Sequence, residues 1–175
     1  MEIVIRKEEI KDYTEVNAVI KKAFAHEKMS GLDEQELVIK LRKSNSYIPQ
    51  LALVALYFGE IVGYILLSEI KIANQHDTQV SLAMAPVCVL PKYQNKSIGT
   101  MLIIESHLQA KSLAYQSIVL LGHEKYYSRF GYKKASEFEI VLPSDGSEKN
   151  CMVLELAKDT LKGHNGEVVY PKEFF

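Results

Sequence analysis

The order of apolar runs in this chain predicts a mixed α/β (α+β) sheet with helices on both faces. Three observations carry that prediction. Leu51–Tyr57 and Ile61–Ile72 are apolar, β-branched runs separated only by Phe58-Gly59-Glu60, which reads as a hairpin with a short glycine-containing turn. Gln79–Leu90 is a third long strand, and its end, Val87–Leu90, leads through Pro91 into a small polar turn and a helix over Ile98–Leu113. Gln116–Leu121 is a short apolar strand directly after that helix, so a right-handed crossover sets it parallel to Gln79–Leu90. Hairpin, strand, helix, strand is the order of a mixed sheet packed against helices.

The remaining elements follow from local pattern. Glu2–Arg6 alternates around Ile3 and Ile5 and reads as a first strand. Asp12-Tyr13-Thr14-Glu15 is an acidic capping box, and Tyr13, Val16, Ile20, Ala23 and Phe24 recur behind it at helical spacing. After Ser30-Gly31, Asp33 and Glu36 open a shorter helix through Leu37, Val38 and Leu41. In the helix Ile98–Leu113 the expected packed side holds Ile98, Met101, Leu102, Leu108 and Leu113, with Glu105 an exposed charge at its edge. Ala73–Thr78 and Pro143–Asn150 are polar loops. A short helix ends at Gly131 ahead of another strand, and Met152–Leu156 is a last strand. Linkers, repeats and low-complexity segments are absent from the sequence, so residues 1–175 are expected to form one domain.

Composition narrows the function classes. Nearly half of the 175 residues are apolar, a quarter are charged, and the net charge is −1 without any block of like charge. A nucleic-acid or membrane surface is therefore not expected. The first residues lack the apolar core of a signal peptide, and no run approaches a membrane span. Cys88 and Cys151 lie in apolar strand runs, too few and too far apart for a metal cluster, so buried thiols in a reducing cytoplasm are expected, with no metal.

Two motifs carry chemistry. In the first, Gln94-Asn95-Lys96-Ser97-Ile98-Gly99-Thr100 stands between a strand and a helix start near Ser97. Backbone N–H groups at a helix start lack intrahelical partners, and the positive end of the helix dipole favours an anion such as a pyrophosphate. Gly99, without a Cβ, permits close approach of a phosphate or a strand. In the second, Leu121-Gly122-His123-Glu124-Lys125-Tyr126-Tyr127-Ser128-Arg129-Phe130-Gly131-Tyr132 follows a strand and opens a short helix.

Together these resemble the GCN5-related N-acetyltransferases (GNAT), whose Q/R-x-x-G-x-G/A turn holds the diphosphate of coenzyme A. Here the turn reads Gln94-x-x-Ser97-x-Gly99, with serine, a good N-cap, in place of one glycine. The second motif resembles the family's Y-x-x-x-G-F/Y, in which the tyrosine lies beside the CoA sulfur, and Tyr127 holds that position. The fuller string, with Met152–Leu156 and the terminal Gly166–Phe175, resembles a bacterial subgroup of N-acetyltransferases. The resemblance spans the chain in order and implies a mostly antiparallel central sheet.

It also implies direct attack of an amine on acetyl-CoA. The amides of Asn95, Lys96, Ser97, Ile98, Gly99 and Thr100 would hold the diphosphate, with Gln94 heading the turn and the Lys96 side chain assisting. The backbone of Val87, Cys88 and Val89 would pair with the pantetheine and polarise the thioester carbonyl. Tyr127 would protonate the leaving thiolate. The first two helices and their connection, Ala25–Leu32, would border the acceptor. Ser117–Leu121 carries no carboxylate, so the base stays open among His123, Glu124, Glu69 and a water chain; His123 alternatively caps the short helix. His26, His76, His107 and His164 fall in solvated positions. Cys88 is expected to be a buried apolar residue and not a nucleophile. A homodimer paired through a strand edge near the C-terminus is a further expectation.

Other nucleotide sites fit less well. No G-x-x-x-x-G-K-[ST] string exists, and the glycine turn follows antiparallel strands instead of opening a dinucleotide fold. The competing reading is a non-catalytic acyl-CoA-binding sensor or interaction module on the same fold, favoured by Ser97 and by the missing carboxylate.

Overall fold

The computed structural model describes residues 2–25, 33–143 and 150–175. The chain forms two compact units, Met1–Ser68 with Ala85–Gln109 and Glu69–Met84 with Ala110–Phe175. Most strand pairs are antiparallel, and the pairs Thr78–Val89 with Ser117–Leu121 and Ile140–Val141 with Gly166–Val169 are parallel. The sheet is therefore mixed and mostly antiparallel, accompanied by helices, in the expected α/β class.

In the first unit β1 (Val4–Lys7) pairs β2 (Tyr47–Tyr57), which pairs β3 (Glu60–Ala73). The β2–β3 hairpin turns through Phe58 (φ 47°) and Gly59 (φ 82°), the two left-handed residues that a turn matched to strand twist requires. α1 (Tyr13–Phe24) buries Val16, Val19 and Ile20. The Asp12 capping box does not form as expected. A 3-10 turn over Ile10–Asp12 precedes α1, and the Asp12 carboxylate instead accepts the Arg6 guanidinium (2.6 and 3.0 Å) and the Glu9 N–H (2.8 Å). A charged partner outbids a neutral helix amide for the same oxygen. α2 (Glu34–Leu41) starts as expected, with Asp33 accepting from the Gln35 and Glu36 N–H groups at 3.1 and 3.3 Å.

β4 (Thr78–Val89) leads to α3 (Ile98–Ser112). The packed side of α3 is Ile98, Leu102, Ile103, Ser106 and Ala110, whereas Met101 and Leu108 are 37 % and 56 % exposed. Apolar residues lie on two sides of this helix, so periodicity alone could not choose between them. Gly63 makes the close packing possible: a Cβ there would lie 3.1 Å from the Cys88 carbonyl oxygen, 3.1 Å from Leu102 Cδ1 and 3.3 Å from Ile98 Cγ2. A bare α-carbon on β3 thus seats the first turn of α3.

In the second unit β5 (Ser117–Leu121) runs parallel to β4 through Leu82↔Ile118 and Ala83↔Val119. α4 (Glu124–Tyr127) and a 3-10 turn over Ser128–Phe130 end at Gly131 (φ 91°), followed by β6 (Lys133–Lys134) and β7 (Ile140–Val141). β8 (Cys151–Glu155) pairs both β5 and β6. It is not the last strand, because β9 (Gly166–Val169) follows and pairs β3 on one side and β7 on the other. A Cβ on Gly166 (φ 144°) would lie 2.2 Å from the Ala73 carbonyl oxygen, so only glycine admits this approach. The expected loops over 26–32 and 144–149, including His26, lie outside the described residues.

Candidate active site

The turn ahead of α3 is built from unusual backbone. After β4 the Leu90 N–H donates to the Val62 carbonyl at 2.9 Å, a 3-10 turn covers Pro91–Tyr93, and Gln94 returns to extended backbone. Asn95 (φ 59°) and Ser97 (φ 62°) are both left-handed, on either side of Lys96. Such residues curl the main chain into the concavities of backbone N–H groups that hold anions. The Met101 N–H to the Ser97 carbonyl (3.0 Å) is a first-turn helical bond, so the Ile98 and Gly99 amides stand upstream of it at the helix entrance. Gln94 to Ser97 are exposed, Ile98 is buried as the anchor beside Gly63, and Gly99 and Thr100 are half-buried.

Serine is not at Ser97 as an N-cap, which takes extended backbone. It occupies a conformation that costs an L-residue about 1–2 kcal/mol. Ser97→Gly is expected to raise the thermal midpoint by about 1–3 °C, since glycine's larger unfolded-state entropy offsets part of the gain. A midpoint that falls would show the hydroxyl to be stabilising in its own right.

Charges near the turn are unequally engaged. Lys92 is paired with Glu60 (3.0 Å), which also accepts the Tyr93 hydroxyl (3.0 Å); the Lys92 ammonium holds the Glu60 carboxyl below its usual range. The Lys96 ammonium lies 5.4 Å from the Tyr93 ring centroid. The Gln94 side-chain amide folds back and donates to the Val89 carbonyl at 3.2 Å.

Among the strand residues, alternation divides the roles. The Leu90 N–H points to β3, so the main-chain groups of Cys88 point there too, and those of Val87 and Val89 point to the opposite edge. β4 pairs with β5 further back, at Leu82 and Ala83. Val87 and Val89 therefore present their main-chain groups to the edge away from β3, and Cys88 presents its own to β3. Burial pushes the Cys88 thiol up to about 12, the state of an inert core residue.

In the second unit α4 places Tyr127 half-buried. Its ring makes edge contacts with Tyr126 (4.9 Å) and Tyr132 (5.7 Å), and Tyr132 is buried, with its phenol pushed well up by burial. Tyr126 is 38 % exposed and lies under the Arg129 guanidinium at 4.0 Å, so Tyr127 is the more enclosed of the pair. His123 is exposed; its side chain makes no cap, and its carbonyl accepts the Tyr126 and Tyr127 N–H groups. Glu124 pairs with Lys134 at 3.1 Å, and Glu69 accepts the Tyr115 hydroxyl at 2.8 Å. His164 meets Asp77 at 2.6 Å, His76 is exposed, and His107 is half-buried.

Gly122 has no role that the sequence alone discloses. A Cβ there would lie 2.2 and 2.7 Å from two Tyr127 ring carbons. The available signal was a glycine five residues before the tyrosine with no turn requirement of its own.

Comparison with known proteins gives consistent matches. Residues 49–134 match the model of an acetyltransferase (GNAT) domain. The N-acetyltransferase YjhQ of Escherichia coli K12 is 28 % identical over 159 residues, covering 87 % of this chain and 85 % of its own. The N-acetyltransferase YhbS of the same strain is 31 % identical over 116 residues, 66 % of this chain and 68 % of its own. Among solved structures, E. coli YhbS in complex with CoA superimposes with a TM-score of 0.88 at 28 % identity, covering 99 % of this chain and 92 % of that one. A GNAT family acetyltransferase from Brucella melitensis in complex with acetyl-CoA superimposes at 0.81 and 30 % identity, covering 99 % of both.

Proposed function

This chain belongs to the GNAT family of N-acetyltransferases, and from that premise we propose that it acetylates an amine by direct attack on acetyl-CoA, with Tyr127 as proton donor. Acetyl-CoA is the acyl donor. The observation that carries the reading is the pair of left-handed residues, Asn95 and Ser97, curling the chain at the entrance of α3. That curl supports the family's diphosphate site in amides 95–100, with Gln94 ahead of it, although serine replaces a glycine. The edge groups of Val87 and Val89 are assigned to the pantetheine.

The proposed reaction is a single acyl transfer. The amine nitrogen attacks the thioester carbonyl carbon, the C–N bond forms, and the C–S bond breaks. The CoA sulfur leaves with its electron pair and takes the Tyr127 phenol proton. The nitrogen's surplus proton passes to the His123 imidazole and on to water, from which Tyr127 regains its own. His123 is assigned the base because Glu124 and Glu69 already serve Lys134 and Tyr115. The acceptor is an amine of a small molecule or of a protein.

No described helix is long and apolar enough to cross a membrane. With Cys88 and Cys151 both buried thiols, we place the enzyme in the cytoplasm. We also take residues 1–175 as one functional domain, since each boundary between the two units falls inside an element: β3, β4 or α3. A homodimer paired through a strand edge near the C-terminus belongs to the same proposal, and β6, at the end of the strand order beside β8, offers such an edge.

The test is release of CoA thiol from acetyl-CoA across a panel of polyamines, amino sugars, amino-acid amides and lysine peptides. Turnover above the amine-free rate with at least one acceptor is expected. Retained CoA binding with no transfer to any acceptor would replace the enzyme with an acyl-CoA sensor.

A further inference from the structure

We infer that Gly122 is a positioning residue for Tyr127: its missing side chain is the seat of the tyrosine ring. The inference rests on the assignment of Tyr127 as proton donor.

Glycines at element junctions are ordinarily explained by backbone conformation, and Gly131 is such a case at φ 91°. Gly122 is different. It is not among the glycines of positive φ, so its main chain suits any L-residue. Its N–H is held by the Asn150 carbonyl at 2.9 Å, which fixes the strand end where β5 stops. What excludes a side chain is Tyr127 itself. A Cβ on Gly122 would stand 2.2 Å from Cε2 and 2.7 Å from Cδ2 of the ring, with Leu120 Cδ1 next at 3.1 Å. The phenol ring thus lies flush on bare backbone, and Tyr126 and Tyr132 bound it on other sides at 4.9 and 5.7 Å.

The consequence for chemistry follows from distance. Carbon–carbon contacts settle near 3.5–4.0 Å, so an added methyl must push the ring edge by about 1 Å or more. A displacement of about 1 Å at a reacting group costs about 10²-fold in rate. Because the Gly122 main chain is held by the Asn150 carbonyl and the ring turns on side-chain torsions, the ring yields more easily than the strand end. Gly122→Ala is therefore a displacement of one catalytic side chain by one methyl group.

The experiment is a pair of double-mutant cycles. For activity, wild type, Gly122→Ala, Tyr127→Phe and the double variant are compared with acetyl-CoA and the best amine. Gly122→Ala is expected to lower kcat about 10²-fold with the acetyl-CoA KM unchanged, and to add nothing once Tyr127 is Phe. For stability, Gly122→Ala is placed on wild-type and Tyr127→Ala backgrounds. The loss of thermal midpoint in the first should vanish in the second, where no ring remains to be struck, and this readout holds even if Gly122→Ala alone folds poorly. Equal losses on both backgrounds overturn the inference, as does an unchanged kcat in Gly122→Ala when Tyr127→Phe lowers it. If Tyr127→Phe itself leaves kcat unchanged, the proton-donor assignment fails, and the stability cycle alone decides whether Gly122 seats the ring.

Discussion

Arg42→Ala is expected to cost about 3–5 kcal/mol of folding stability, the range for stranding one member of a buried ion pair. The Glu8 carboxylate is fully buried, and the Arg42 guanidinium is its counterion. Arg42 donates to Glu8 through Nη2 and Nε and to Asn17 through Nη1 at 3.0 Å, and it stacks on the Tyr13 ring at 4.0 Å. The hydroxyls of Tyr47 and Tyr64 also donate to Glu8, at 3.0 and 3.4 Å, and burial pushes both phenols up. One cluster thus joins α1, α2, β2 and β3 to the residue after β1. With total stability of about 5–15 kcal/mol for a typical domain, the loss is a large share. A fall of about 8–15 °C in thermal midpoint by circular dichroism is expected. Glu8→Gln in the Arg42→Ala background removes the stranded charge and should recover part of it. A midpoint within about 2 °C of wild type would show that water reaches the carboxylate.

Tyr127→Phe is expected to lower kcat by about 10²–10⁴-fold, the usual contribution of a general acid. The acetyl-CoA KM should stay near its wild-type value, because the lost proton transfer belongs to the transition state alone. The ring contacts to Tyr126 and Tyr132 persist in phenylalanine, so the fold should survive. Tyr126→Phe is the control, its ring being the more exposed and covered by Arg129. Full activity in Tyr127→Phe would pass the acid role to water. Equal losses in both variants would point to packing of α4 instead of proton transfer.

What the sequence discloses and what it hides divide along physical lines. Asp33 capping α2, the Phe58-Gly59 turn and the β4–α3–β5 order were legible, because each rests on signals within a few residues of one another. Asp12 misled, because its partner Arg6 is on another element and a charged donor was not visible to a capping pattern. The buried side of α3 was misjudged because Met101 and Leu108 are as apolar as Ile103 and Ala110, and only packing on β3 at Gly63 selects between them. β9 escaped because its pairing depends on Gly166 meeting Ala73, far back in the chain. Motif spacing marks the two stretches to which the site is assigned, but it does not disclose their geometry. Left-handed backbone at Ser97, the inward turn of Cys88's main chain and the seat at Gly122 are each set by the surrounding fold and leave no local pattern.

The most direct measurement is isothermal titration of the purified chain with CoA and acetyl-CoA, beside a Gly99→Glu variant. Glutamate at Gly99 puts bulk and negative charge at the helix entrance assigned to the diphosphate. A dissociation constant on the order of micromolar, about −8 kcal/mol, is expected for the wild type. No measurable binding is expected for the variant, with its thermal midpoint retained. Undiminished binding in Gly99→Glu, or none in the wild type, would contradict the assignment of residues 94–100 as the cofactor turn.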